Sequence, residues 1–187
     1  LDQAEEPKLL SVPGDLCDHV IVAGYGRVGE VLVNVLLSRG YPVLVVENSE
    51  TAIQRLRNRH PPLVQIPYVY GDADSELVLE KTCLETAKAL AITLPDPATT
   101  RLVLQRALLR VPELDIIARS HTNEEIDVLT QLGAREVVQP EFEAALELGS
   151  HLLNTLGEKS VEIQSVLGWI RQDRYRSIRP VAQVGEG

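Results

Sequence analysis

The chain has no methionine, not even at its first position, and only one tryptophan and one phenylalanine among 187 residues. The absent initiator points to a chain whose true start lies upstream. Its two cysteines, Cys17 and Cys83, are far apart and form no C-x-x-C pair. That suggests neither a zinc knuckle nor a disulfide framework and reads as two reduced thiols in a cytosolic setting. The four histidines (His19, His60, His121, His151) are scattered, with no second metal ligand at helical spacing, so no metal site is expected. No apolar run approaches the roughly 18 residues of a membrane span, and no signal peptide opens the chain. Positive charge is scarce. There are 18 Lys and Arg against 27 Asp and Glu, a formal net charge of -9. A nucleic-acid grip wants a basic face, so nucleic acid is not an expected partner. A small anion held at a helix terminus stays compatible with that charge. No G-x-x-x-x-G-K-[ST] occurs, which excludes a P-loop ATPase.

A hydrophobic fraction of 44% supplies a sizeable core. Residues 1–18 are polar, with Pro7, Pro13 and Gly14, and read as a linker leading in. An alternation then begins. The apolar run His19–Ala23 precedes a helical pattern in which Val28, Val31, Leu32, Val35 and Leu36 share a face, stopped by Gly40. "YPVLVVE" is a second strand. "NSETAIQRLRNR" is a helix started by Asn or Ser and closed by Pro61-Pro62. "LVQIPYVYGD" is a third strand blunted by Pro67, followed by a short helix near Asp74–Lys81. "AKALAITLP" is a fourth strand, Pro97–Arg110 a helix and "LDIIARS" a fifth strand. Thr122 with Glu125 makes a capping box for a helix running to Gly133. "REVVQ" is a sixth strand. Pro140 then opens a helix striped by Phe142, Ala145, Leu146, Gly149, Leu152, Leu153 and Leu156. Nearly all-apolar strands alternating with helices imply an α/β fold: a Rossmann-like, doubly wound, six-stranded parallel sheet with helices on both faces. A C-terminal helical extension follows Gly157, with Ile163, Val166, Leu167 and Ile170 at one-face spacing beside Arg171, Arg174, Arg176 and Arg179. Two readings stand for it: an interfacial amphipathic helix, or a helix packed on a missing neighbour or second subunit. The final "VGEG" is expected to be mobile.

"HVIVAGYGRVGE" places Gly24, Gly26 and Gly29 as G-x-G-x-x-G between the first strand and first helix. That is the context the dinucleotide fingerprint requires. Gly24 permits the tight turn, Gly26 lets a pyrophosphate approach the backbone, and Gly29 lets helix and sheet pack closely. The helix start adds free N–H donors and about half a positive charge. Glu47 ends the second strand, where an acid accepts from ribose hydroxyls. A carboxylate there repels a 2′-phosphate, and its neighbour is Asn48 rather than Arg, so NAD(H) or an adenosine phosphate is preferred over NADP. Asp72, in "YGDA" with Ala73, ends the third strand, where it either accepts from an adenine amino group or caps the next helix. The alternative to all of this is a glycine turn that binds nothing.

With these residues assembled, the chain resembles the RCK, KTN or TrkA-N family of nucleotide-binding domains that regulate potassium channels and transporters. The resemblance covers about residues 18–150. It rests on "HVIVAGYGRVGE", "YVYGDADSELVLEKTCLETAKALAITLPDPATT" and "DIIARSHTNEEIDVLTQLGAREVVQPE". Within the family the chain is most similar to the cytoplasmic tails of potassium-efflux-type monovalent cation:proton antiporters. The resemblance implies that Gly24, Tyr25, Gly26, Arg27, Val28 and Gly29 surround the phosphates. Glu47 then takes the ribose and Asp72 the adenine edge, with Asn48 and Ala73 beside them. Thr93, Leu94 and Pro95 line the pocket beyond the fourth strand, and Arg119 reaches toward phosphate from the fifth. Arg27 has a plain alternative as a solvated helix-start residue, and Arg119 as a surface ion-pair partner. Glu47 departs from the commoner Asp of the family, and the family's second ligand domain is not recognisable after residue 157.

The resemblance further implies a homodimer through the 140–156 helix and a linked membrane transport domain. The chain would lie at the cytoplasmic face of the inner membrane. Its division would be a linker at 1–18, a nucleotide-binding domain at 19–156 and a helical, mobile tail at 157–187. NAD(H) or AMP, ADP or ATP would act as a regulatory ligand. A dehydrogenase is disfavoured, because only about thirty residues follow the nucleotide-binding domain at 19–156, too few for a substrate domain. His121, the nearest acid–base candidate, precedes a capped helix. A pure assembly module is the remaining alternative.

Overall fold

A computed structural model describes residues 12–59 and 65–180. Six parallel strands make one sheet: β1 (Val20–Ala23), β2 (Val43–Glu47), β3 (Tyr68–Tyr70), β4 (Ala89–Ile92), β5 (Asp115–Arg119) and β6 (Glu136–Val138). Their spatial order is β3-β2-β1-β4-β5-β6. The winding therefore reverses between β1 and β4, and the strand ends there form the crevice where doubly wound sheets hold ligands. Helices α1 (Arg27–Ser38), α2 (Glu50–Arg57), α3 (Glu76–Glu80), α4 (Pro97–Arg110) and α5 (Asn123–Gln131) make the crossovers, and α6 (Pro140–Thr155) and α7 (Ser160–Arg174) follow the sheet. The expected Rossmann-like sheet is what the chain forms.

The helix starts follow local chemistry. Ser49 caps α2 by accepting from the Ala52 amide, and Asp96 caps α4 by accepting from the Thr99 amide at 2.7 Å. Thr122 caps α5 as expected, but the reciprocal arm of its capping box differs. Glu125 accepts from the His121 amide at 2.6 Å rather than from Thr122. The third strand is shorter than the apolar run suggested. It begins only after Pro67, which has no amide to give the ladder. Residues 63 and 64 of that run lie outside the described residues.

Two cores flank the sheet. On one face Val22, Val33, Val45, Ile53, Leu56 and Tyr68 pack under α1 and α2. On the other, Ile21, Leu44, Leu90, Ile116 and Val137 pack with Val103, Leu104, Ile126 and Leu129 of α4 and α5. The α1 stripe is rotated from the expected one. Gly29 and Val33 are buried, while Val31 and Val35 are exposed. Seven of the twelve residues of α1 are aliphatic, so spacing alone left the buried arc undetermined.

The extension after Gly157 packs through one face on its own chain, while Val161 and Trp169 of α7 stay exposed. Ile163 and Leu167 of α7 bury against Leu146 of α6, and Arg171 pairs with Glu143 at 3.0 Å. Just past α7, Tyr175 is fully buried in the main core, edge-on to Phe142, and its hydroxyl accepts from the Gln139 amide at 3.1 Å. The extension is thus latched through residue 175 rather than loose. The "VGEG" ending lies outside the described residues. Part of the α6 stripe finds no cover: Leu148, Leu152 and Leu156 are 66%, 65% and 79% exposed.

Candidate functional site

The three glycines of the first loop have different reasons to be glycine. A methyl at position 29 would sit 2.0 Å from the Gly24 carbonyl oxygen, so close helix–loop packing forbids any side chain. Gly24 has φ +102°, and a methyl there would meet Thr93 Oγ1 at 2.9 Å. A methyl at Gly26 would meet nothing within 4 Å. The protein's own packing therefore requires Gly24 and Gly29 but leaves the space over Gly26 open. Gly26 also precedes α1 without offering a side-chain cap. The amides of Arg27, Val28 and Gly29 belong to a helical first turn, which has no intrahelical acceptors. Arg27 is exposed beside this opening, and Val28 is half-buried.

Beside the loop, joined to it by the bond from the Tyr25 amide to Glu47, the strand tips form a cleft that no loop residue from Gly24 to Gly29 lines. The cleft, of about 170 Å³, is lined by Glu47 and Asn48 from β2, Asp72 and Ala73 after β3, and Leu94 after β4. Those five were all expected at the site. Val46, Gly71, Asp74 and Thr99 complete the wall and were not. Gly71, at φ +154°, turns the chain sharply after β3, a signal that "YGD" carried unread.

Glu47 is held in place by the backbone. Its Oε2 accepts from the Tyr25 amide at 2.6 Å, and its Oε1 from the Asn48 and Ser49 amides at 2.8 Å each. The carboxylate thereby ties the glycine loop to the start of α2. A carboxylate offers about four lone-pair sites, so Oε2 retains one for a ribose hydroxyl. Asp72 is exposed and is not at the N-cap of α3; Ser75 holds that position, without a side-chain capping bond. Its Oδ1 instead accepts from Asn48 Nδ2 at 2.7 Å, which bridges the β2 and β3 tips. Thr93 is buried and braces the loop, donating toward the Ala23 and Gly24 carbonyls at 3.1 and 3.0 Å. Pro95 is exposed and does not line the cleft.

Two expected residues lie elsewhere. Tyr25 was expected around the phosphates, but its side chain is fully buried in the core beneath α1 and α2. Burial there pushes the phenol up from its ordinary value. Only the Tyr25 backbone faces the loop, and its amide is taken by Glu47. Arg119 pairs with Glu141 at the first turn of α6, at 3.1 Å, which is its ion-pair alternative. A larger cleft, about 500 Å³, separates α1 from α2 and is lined by Glu30, Asn34, Arg55 and Arg59. It meets the glycine loop only through Arg55, which donates to the Tyr25 carbonyl at 3.0 Å, and includes none of the strand-tip residues.

Among the described residues no helix is long and apolar enough to cross a membrane. The TrkA-N domain family profile matches residues 20–140. YbaL of Escherichia coli (strain K12), assigned as a cation/proton antiporter, is 36% identical over 141 residues, 75% of this chain and 24% of that protein. KefB of Alkalimonas amylolytica, assigned as a K(+) efflux antiporter, is 27% identical over 164 residues, 88% of this chain and 24% of that protein. The chain thus spans about a quarter of the length of the curated relatives it matches. Among solved structures, the Kef CTD of Shewanella denitrificans in AMP-bound form is similar, with a TM-score of 0.73 and 26% identity. The match covers 86% of this chain and 96% of that one.

Proposed function

This chain belongs to the TrkA-N domain family, and on that premise we propose that it is the ligand-sensing regulatory domain of a cation transport protein. It holds an adenine nucleotide and does not transform it. The observation that carries this reading is Gly26, a glycine that nothing in the protein's own packing requires, set at an uncapped helix start beside a cleft edged by two carboxylates. Phosphate oxygens would accept from the first-turn amides of α1 and be favoured by its dipole. The free lone pair on Glu47 would take a ribose hydroxyl, and Asp72 Oδ2 an adenine amino group. AMP is the first nucleotide to test, because the Shewanella relative is an AMP-bound form. NAD(H), ADP and ATP share the same adenosine and phosphate chemistry.

The ligand acts by differential affinity for two arrangements of a homodimer. The exposed leucines of α6 support that dimer. In this reading residues 1–18 lead from a membrane transport domain, 19–156 bind the nucleotide and dimerise through the 140–156 helix, and 157–187 form a helical tail. The domain works at the cytoplasmic face of the inner membrane. The antiporter relatives support that linkage and a monovalent cation such as potassium as cargo.

Titration calorimetry of the chain with AMP, ADP, ATP, NAD+ and NADH tests the ligand. We expect binding by at least one of them, and at least tenfold weaker binding by Gly26→Val with its circular dichroism spectrum unchanged. No heat with any of the five at millimolar concentration sinks the sensor reading. Turnover of NADH with a small carbonyl substrate would instead make the chain an enzyme.

A further inference from the structure

We propose that Cys17 and Cys83 form a reversible disulfide that fastens the entering chain to the β3–β4 crossover. The chain's two cysteines, far apart in sequence, are drawn to one corner of the fold. A single hydroxyl marks the meeting point. Thr86 Oγ1 contacts the carbonyl oxygen of Leu16 at 2.8 Å and that of Cys83 at 3.1 Å. The peptide leading into Cys17 and the carbonyl of Cys83 therefore share one partner. The residues on either side of Cys17 are bonded to the turn that Cys83 begins. Leu16 accepts from Thr86, and the Asp18 amide donates to the Thr86 carbonyl at 2.9 Å. Two residues on, His19 Nε2 meets the Thr82 carbonyl at 2.8 Å, immediately before Cys83.

The backbone at this corner is tightly bent. Asp18 and Cys83, at φ 54° and 52°, are the two non-glycine residues with positive φ among the described residues. Such conformations persist only where surrounding contacts enforce them. Cys17 is exposed and Cys83 half-buried, so an oxidant reaches the Cys17 thiol more readily. Residues 12–19 precede the first strand and carry no helix, so no helix of the entering chain has to break for the Cα atoms to come within the roughly 7 Å a disulfide needs.

The oxidant is a low-molecular-weight disulfide. The Cys17 thiolate attacks it, forms a mixed disulfide and releases one small thiolate. The Cys83 thiolate then attacks the Cys17 sulfur, and the second small thiolate leaves as the Cys17–Cys83 bond forms. The two cysteines give up two protons and two electrons, and the oxidant is reduced to two thiols. The product replaces a hydrogen-bonded attachment with a covalent one. Its formation does not depend on nucleotide binding. Only its effect on transport rests on the regulatory reading above, so the two fail separately.

The test treats the full chain with oxidised glutathione, counts free thiols and maps peptides without reduction. We expect both thiols to disappear into one internal Cys17–Cys83 link that dithiothreitol reverses. Cys17→Ser and Cys83→Ser should each leave the remaining cysteine carrying glutathione. Hydrogen exchange at residues 16–19 should slow at least tenfold in the oxidised chain. Glutathione on Cys17 with Cys83 free, glutathione on both, a link between two chains, or unreacted thiols would overturn the proposal. An internal link with unchanged exchange would overturn the fastening.

Discussion

Val45 on β2 and Ile117 on β5 occupy the same face of one sheet, connected through register partners Val22 and Ala91. Val45 is fully buried under α1 and α2, whereas Ile117 is 44% exposed. Over β5 and β6 this face also presents Asp115, Arg119 and Glu136, and no helix of the described residues covers Ile117. Parallel sheets ordinarily bury both faces. The β1–β3 half is finished by its own chain and carries the glycine loop. The other half is finished on one face only and leads into α6, where Leu148, Leu152 and, at its end, Leu156 are also bare. The molecule thus separates a ligand-holding half that is complete by itself from a half shaped to be covered by something else.

The largest effect should come from damaging the complete half at its tightest point. Gly29→Ala places a methyl against backbone, which cannot swing aside as a side chain does. Overpacking costs of about 1–3 kcal/mol, and occasionally more, are usual, and this site belongs at or above the top of that range. Urea unfolding should show a loss of about 3 kcal/mol or failure to fold. A loss below about 1 kcal/mol would mean that the loop is not rigidly packed.

The open half predicts the opposite phenotype. Leu152→Glu should leave the chain folded, because the side chain is already in water. If α6 is the dimer contact, a central hot spot there is worth about 2 kcal/mol, or about thirty-fold in dissociation constant. Light scattering after gel filtration should show the wild type as a dimer and the variant shifted to monomer. A monomeric wild type would mean the leucines are covered by a different partner.

Much of the first half could be read directly. The strand–glycine–helix order, Glu47 and Asp72 at neighbouring strand tips, and the Ser49 helix start all follow from short-range chemistry, as does the Thr122 helix start in the other half. What was illegible depended on side chains meeting across the fold. Tyr25 lies inside the glycine motif, and nothing local says that its ring turns down into the core. Thr93 was expected to line a pocket, yet its hydroxyl is spent on the loop carbonyls seventy residues away in sequence. Tyr175 stands in an arginine-rich stretch with no apolar period around it, so its burial and its bond to Gln139 left no sequence signal. Arg119 could reach phosphate or carboxylate equally well on chemistry alone, and only the position of Glu141 decides.

A smaller effect, in the complete half, comes from acid. His19 is fully buried at the entry to β1, and burial lowers its affinity for a proton despite the Thr82 carbonyl and nearby Asp18. Its folded value lies below the ordinary 6.5, so above that pH both folded and unfolded chains carry it neutral. As pH falls from 6.5 toward the folded value, the unfolded chain takes up the proton first and stability declines. Asp18 and Lys88 are the charged groups that share this corner. His19→Gln retains a donor for Thr82 but cannot titrate. Its urea midpoint should fall less than the wild type's between pH 7 and about 5.5. Parallel curves would place the acid sensitivity elsewhere.

The smallest predicted effect tests the contrast between the halves most directly. Ile117→Ser and Val45→Ser remove aliphatic groups from the same sheet face, so β propensity and face are held nearly constant. Val45 has no exposed surface, and replacing it both leaves a gap and buries a hydroxyl, which together cost about 2–4 kcal/mol. Ile117 already keeps 44% of its surface in water, and serine there should change monomer stability by only about 0.5 kcal/mol. The comparison must be run at protein concentrations low enough to hold the chain monomeric. If cost at position 117 rises with concentration, the open face belongs to the dimer contact and α6 is only part of it. If the cost matches that at position 45 even in the monomer, a segment of the chain itself closes that face and the two halves are finished alike.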